Sequence, residues 1–263
     1  MTWNADQYLT FHDLRLRPAL DLLNRIPGIE PRELVDLGCG PGNLTGLLLQ
    51  RWPQAQVLGV DSSPAMLERA RARWPALTWI EADLSRWMPR EAVDLVFSNA
   101  ALHWVDDHPH QLRRLAGMLA DDGVLAVQMP ANFSAPSHRL IRDIAARPEW
   151  SAVLGEARMG AVLDADAYHT LLSACFATVD VWQTTYFQVL QGEHGVFDWL
   201  AGTTLVPYFS RLDVVQRDAF GAALREELSA AYPVRTDGSV LFPFTRTFMV
   251  ARTPQIVVSR ETC

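Results

Sequence analysis

Three glycines at alternate positions, Gly38, Gly40 and Gly42, stand between an apolar run (Leu34, Val35, Leu37) and a helix-like stretch, Leu44 to Leu49. A strand, a glycine turn and a helix in that order bring backbone close to a ligand, because no Cβ intrudes and N–H groups open the helix. The spacing is G-x-G-x-G. The third glycine of the dinucleotide fingerprint would fall at position 43, which is Asn43, so the loop suits a nucleoside better than a pyrophosphate. Asp36 precedes the first glycine and suits a ligand bearing an ammonium group. Asp61 follows the apolar run Val57-Leu58-Gly59-Val60, at the separation expected of a ribose-binding carboxylate. Together they suggest a site for an adenosine carrying an amino acid; the plainer alternative is a tight connection with two strand-end acids facing water.

The stretches DLGCGPG at 36–42, GVDSSPAML at 59–67, EADLSRW at 81–87 and DLVFSNAALHW at 94–104 resemble class I methyltransferases that use S-adenosylmethionine. The resemblance implies that the loop with Gly38 and Gly40 passes the methionine part of that cofactor. It implies that Asp61, with Ser62 beside it, takes the ribose and that Met66 flanks the adenine. Asp83 and the Leu84 backbone would take the adenine, and Asn99 would lie near the sulfonium. Within that superfamily, WNADQYL at 3–9, MPANFSAPSH at 129–138, WQTTY at 182–186 and FPFTR at 242–246 are similar to trans-aconitate methyltransferases. That likeness runs over nearly all of the chain.

The elements that must position these residues follow from periodicity. Leu14, Ala19, Leu22, Leu23 and Ile26 recur at helical spacing until Pro27-Gly28. The arm before them carries Trp3, Gln7 and Tyr8, an aromatic and amide set expected to fold over a sulfonium. Strands are expected at 33–38, 56–60, 77–81, 93–98 and 123–129, with helices at 42–52, 64–73 and 109–119, the alternation of a parallel sheet covered on both faces. Beyond 130 the alternation stops. Helices are expected at 137–146 and 165–174, a long strand from Phe176 to Leu190, a helical stretch at 195–232 and a last strand at 239–251. The expected fold is α/β and Rossmann-like, a mostly parallel seven-stranded sheet with a helical cap. Its parts are an arm and helix (1–32), a cofactor core (33–129), the remaining strands with the cap (130–252) and a tail (253–263).

Composition narrows the function. With 49% hydrophobic residues, 263 residues can bury a sizeable core. The net charge of −7 argues against a nucleic-acid binder. No apolar run approaches the roughly 20 residues that span a bilayer, and MTWNADQYL does not read as a leader; the expected setting is the cytoplasm, away from membranes, with a monomer favoured. Cys39, Cys175 and Cys263 have no C-x-x-C spacing, so neither a disulfide framework nor a zinc site is expected. The string HWVDDHPH at 103–110 offers Asp106, Asp107, His108 and His110 but matches no metal-ligand spacing, and no metal is assigned. Every basic residue is Arg, so a carboxylate grip must come from Arg forks, His or neutral donors.

The reading is an S-adenosylmethionine-dependent O-methyltransferase that esterifies a small anionic polycarboxylate such as trans-aconitate, without a general base. His103 and Trp104 follow the fourth strand and are the catalytic candidates. Arg246, inside an apolar strand, leads the substrate candidates, with Tyr186, Trp199, Tyr208 and Arg235 beside it and Thr203 and Thr204 as further donors. Two alternatives stay open: methylation of a phenol, amine or carbon acid with His103 or His12 as base, and a non-catalytic module that only binds the cofactor.

Overall fold

A computed structural model of the chain describes residues 12–155, 157, 159, 160 and 162–255. Trp3, Gln7 and Tyr8 lie outside the described residues. The chain opens with α1 (His12–Arg25) and then alternates through β1 (Glu33–Leu37), α2 (Thr45–Arg51), β2 (Gln56–Asp61), α3 (Pro64–Arg73), β3 (Thr78–Glu81) and β4 (Val93–Asn99). A short 3-10 turn (Leu102–Trp104), α4 (His108–Ala116) and β5 (Leu119–Pro130) follow. Next come α5 (Pro136–Ala145), α6 (Pro148–Leu154), α7 (Ala165–Ser173), β6 (Phe176–Gln191), α8 (Gly195–Ala201), α9 (Val206–Phe209), α10 (Val214–Ala231) and β7 (Ser239–Pro254).

The strands form one seven-stranded sheet in the order β3-β2-β1-β4-β5-β7-β6. The pairings β3 with β2, β2 with β1, β1 with β4 and β4 with β5 are parallel. β6 and β7 run antiparallel: Gln255 N–H donates to Cys175 C=O at 2.7 Å and Gln183 donates to Thr247 Oγ1 at 3.0 Å, so position rises on one strand as it falls on the other. The switch in strand order lies between β2-β1 and β4. That is where an open α/β sheet leaves a crevice beyond its strand ends.

The chain divides into two compact units. Among the described residues, the core unit holds 16–129, 162–183 and 247–255, and the second unit holds 12–15, 130–160 and 184–246. In the core unit Val35, Leu37, Val96, Leu125 and Val127 are buried with Leu112, Leu115, Tyr168 and Leu172 from helices, the near-continuous apolar burial of strands covered on both faces. In the second unit α5, α8 and α10 bury Ile141, Ile144, Trp199, Leu200, Phe220 and Leu224 with Phe242 and Phe244 of β7. In the last strand the even-numbered residues are buried and the odd-numbered ones half-buried from Val240 to Phe244, whereas every residue from Arg246 to Ala251 is buried.

Three departures from the expected elements have local causes. β5 begins at Leu119, ahead of the expected 123, because a register shift between its pairings at Leu119 and Val124 accommodates Asp121-Asp122-Gly123, which reads as a turn in sequence. The helical stretch 195–232 is three helices, the last started at Asp213 by a capping box with Gln216. α6 was not expected; it starts at Pro148 and lasts only seven residues, too short to show a period. No helix among the described residues is long and apolar enough to cross a membrane.

Candidate functional site

The site residues of the core unit sit where β1, β2 and β4 end. Gly38 takes φ +82°, and a Cβ there would stand 2.1 Å from the Ala101 Cβ, so only glycine lets the segment after β4 pass beneath the loop. Gly38 and Cys39 both donate N–H to Val60 C=O, at 2.8 and 3.1 Å, folding the loop over the end of β2. Gly40 has φ +54° and differs: a Cβ there meets nothing within 4 Å. The far side of the loop rests on tryptophans, with Trp74 Nε1 donating to Gly42 C=O at 3.1 Å and Trp79 Nε1 to Trp74 C=O at 3.2 Å. Cys39 packs in that cluster, and burial, then Asp36 and Asp61, push its thiol pKa up, so it is an inert packing residue.

Asp36 is 2% exposed. Thr45 Oγ1 at the start of α2 donates to its Oδ2 at 2.6 Å. Burial raises the carboxyl pKa from 3.8 to about 7; the Thr45 hydrogen bond pulls it down and the Asp61 charge pushes it further up. Asp61 closes β2 and accepts from Gly40 N–H at 2.9 Å and Ser63 N–H at 2.8 Å. Its pKa too is raised by burial, against hydrogen bonds from the Ser63, Gly40 and Ser62 backbones. Ser63 then caps α3, accepting from Met66 N–H, and Met66 is buried in the first turn.

Asp83 is exposed and accepts the N–H and hydroxyl of Ser85 at 2.8 and 2.7 Å. Those bonds, the hydroxyl first, hold its pKa below the usual value. Leu84 is buried, and its carbonyl takes an Arg114 N–H at 2.5 Å; the same guanidinium donates to Trp87 C=O and Gln111 Oε1. Arg114 thus fixes the loop after β3. At the end of β4, Ser98 Oγ donates to Leu37 C=O at 2.7 Å, while Asn99 Oδ1 is buried without a hydrogen-bond partner. An orphaned buried acceptor is costly until a donor or positive charge reaches it.

His103 is buried in the 3-10 turn, its ring centroid 4.7 Å from that of Trp104. His108 is turned inward, with Nδ1 2.5 Å from Tyr168 Oη and Nε2 3.0 Å from Leu102 C=O. Both ring nitrogens are therefore engaged, one on α7 and the other on the turn that carries His103 and Trp104.

The other candidates belong to the second unit. Arg246 is 8% exposed with its guanidinium 4.7 Å from the Phe244 ring centroid, and Trp199 packs on the same ring at 5.9 Å. The register set by the 2.8 Å Thr185–Thr245 hydroxyl bond and by Gly192 N–H to Gly238 C=O places Tyr186 opposite Phe244. Arg246 and Trp199 thus pack on one ring, and Tyr186 is its cross-strand neighbour. Tyr208 is buried, stacked at 6.2 Å on Phe220, and burial raises its pKa to about 12. Thr204 is buried and Thr203 half-buried, while Arg235 is exposed in the turn before β7.

Sequence reasoning missed Thr45 and Arg114. Thr45 had a signal, a hydroxyl in the first turn after the glycine loop; Arg114 had none, since it acts 30 residues from Leu84. The core-unit set fits S-adenosylmethionine in its chemistry. One buried and one half-buried carboxylate and an orphaned amide oxygen suit a cationic nucleoside, and the backbone at Gly40 borders open space.

A family model described as a methyltransferase domain matches residues 34–123. The chain is 46% identical to trans-aconitate 2-methyltransferase of Methylobacterium radiotolerans, over 95% of this chain and 98% of that one. It is 48% identical to the enzyme of the same name from Azoarcus sp., with the same two coverages. Among solved structures, it is similar to Haemonchus contortus phosphoethanolamine N-methyltransferase 2 in complex with S-adenosyl-L-methionine, with TM-score 0.55 and 15% identity. That match covers 91% of this chain and 53% of the other, and is a likeness of fold.

Proposed function

The chain belongs to the trans-aconitate 2-methyltransferase family of S-adenosylmethionine-dependent methyltransferases, and from that membership we propose that it esterifies one carboxylate of trans-aconitate. The observation that carries the reading is identity of 46–48% along nearly the full length of relatives bearing that name. S-adenosylmethionine, when bound, supplies an electrophilic methyl group on a sulfonium.

The protein's part is binding and placement. Asp36 takes the ammonium of the cofactor, Asp61 its ribose hydroxyls, and Asn99 Oδ1 faces its positive end. Asp83 and the Leu84 N–H take the adenine edge, beside Met66. A carboxylate has an intrinsic pKa of about 4, so the nucleophile is already ionised at neutral pH and no base has to remove a proton. Methyl transfer joins an anion to a cation and leaves both neutral, so excluding water favours the transition state. Positioning supplies the remainder. Arg246 holds a carboxylate that does not react, by a charge-assisted fork, with Tyr186 as a neutral donor.

Two substitutions test the assignment. Arg246→Gln is expected to raise KM for trans-aconitate by about tenfold or more, the cost of one hydrogen bond to a charged group, while the dissociation constant for S-adenosylmethionine stays put. His103→Gln is expected to leave the pH profile of kcat flat between pH 6 and 8. A steep loss of kcat in His103→Gln, with a pH limb near the histidine range, would instead favour a phenol or amine substrate.

A further inference from the structure

We infer that Asn132 is a specificity residue for this reaction, donating its side-chain amide to a carboxylate of the substrate. The inference rests on the polycarboxylate reading above and adds a residue to it. Asn132 follows β5 in the second unit and is 3% exposed. Its Oδ1 accepts the N–H of Thr245 at 2.7 Å, and Ala131 N–H donates to Thr245 C=O at 2.9 Å. The first bond settles which end of the amide is which: the acceptor is committed, so the other end is NH2. That Nδ2 is buried and has no hydrogen-bond partner.

A buried amide donor left unmade is costly, and folded proteins retain few of them. The backbone around Asn132 is otherwise satisfied, with Ala135 N–H donating to Asn132 C=O at 2.8 Å. Local turn formation therefore requires only the main chain and Oδ1, and Nδ2 is surplus to it. The residue that Asn132 bonds, Thr245, directly precedes Arg246, which lies buried over the Phe244 ring. An anionic oxygen is the ligand for a neutral N–H donor whose bonded partner, Thr245, is next in chain to an arginine. A polycarboxylate offers such oxygens beyond the one being methylated.

Asn132→Asp separates this role from a structural one, because it keeps an oxygen for the Thr245 N–H and replaces the NH2 by a second acceptor. Compared with wild type, KM for trans-aconitate is expected to rise about tenfold or more. KM for a dicarboxylate lacking the seated group should rise much less, and the dissociation constant for S-adenosylmethionine should not move. Equal losses on both substrates, or none, would overturn the inference. Should the variant not fold, the wild-type complex with trans-aconitate and S-adenosylhomocysteine decides: a carboxylate oxygen within about 3.2 Å of Asn132 Nδ2 supports it, and carboxylates held elsewhere overturn it. Wild type inactive on every polycarboxylate overturns the broader reading and this one together, whereas active wild type with an indifferent Asn132→Asp overturns this one alone.

Discussion

At Asp36 the proposed cofactor contact is set against stability. Its pKa is raised from 3.8 to about 7 by burial, so between those values the folded chain holds a proton that the unfolded chain has lost. The unfolded state binds fewer protons in that window, and stability therefore falls as pH rises from about 4 to about 7, by a few kcal/mol at most. Asp36→Asn lacks this slope; it is expected to melt higher than wild type at pH 8 and by a smaller margin at pH 5. Binding responds oppositely, because an ammonium favours the charged carboxylate. S-adenosylmethionine should bind wild type more tightly as pH rises through about 7, and Asp36→Asn more weakly without that dependence. Parallel melting and titration series check both, and equal pH slopes in the two proteins would remove Asp36 from the cofactor site. Asp36 was legible because it interrupts an apolar run just before the glycines, and Asp61 because it closes one. Asn132 was not: its partner Thr245 lies 113 residues away, and no local spacing records a tertiary bond.

At the scale of the element, the glycine loop makes two different demands. Gly38 is needed for packing, since a Cβ there collides with Ala101 at 2.1 Å in a left-handed backbone. Gly38→Ala should lower stability by several kcal/mol, combining strain with a clash that side chains cannot relieve. Gly40 also has positive φ but opens on space. Gly40→Ala should cost only about 1 kcal/mol of stability and show its main effect as weaker S-adenosylmethionine binding. Calorimetry of both variants tests the contrast; similar melting losses would mean that Gly40 is structural as well. The strands and helices up to β4 were readable because each has a strong period and a turn residue at its end. α6 and the breaks between α8, α9 and α10 were not, because they are short and defined by which side chains enter the core around Trp199 and Phe220.

The whole molecule is acidic, with net charge −7, and every one of its cations is an arginine. An anionic substrate is repelled at long range and must be held by short, desolvated contacts, a role that fits buried Arg246 and Asn132 better than exposed Arg235. The chain passes to its second unit after Met129, returns from it after Gly160, and crosses again inside β6 and β7. The change after 129 is visible as the end of strand-helix alternation. The crossings inside β6 and β7 carry no linker composition, since a hydrogen-bonded strand continues straight through them. Legibility thus ended where organisation passes from local pattern to long-range pairing.

The most direct test is release of S-adenosylhomocysteine by the purified chain with trans-aconitate, run beside citrate, cis-aconitate, isocitrate and a panel of phenols and amines. Fast turnover on trans-aconitate, with a methyl ester as product and little activity on phenols or amines, is the predicted result. Tight S-adenosylmethionine binding with turnover only on phenols or amines would contradict the account and return His103 to the centre of the mechanism.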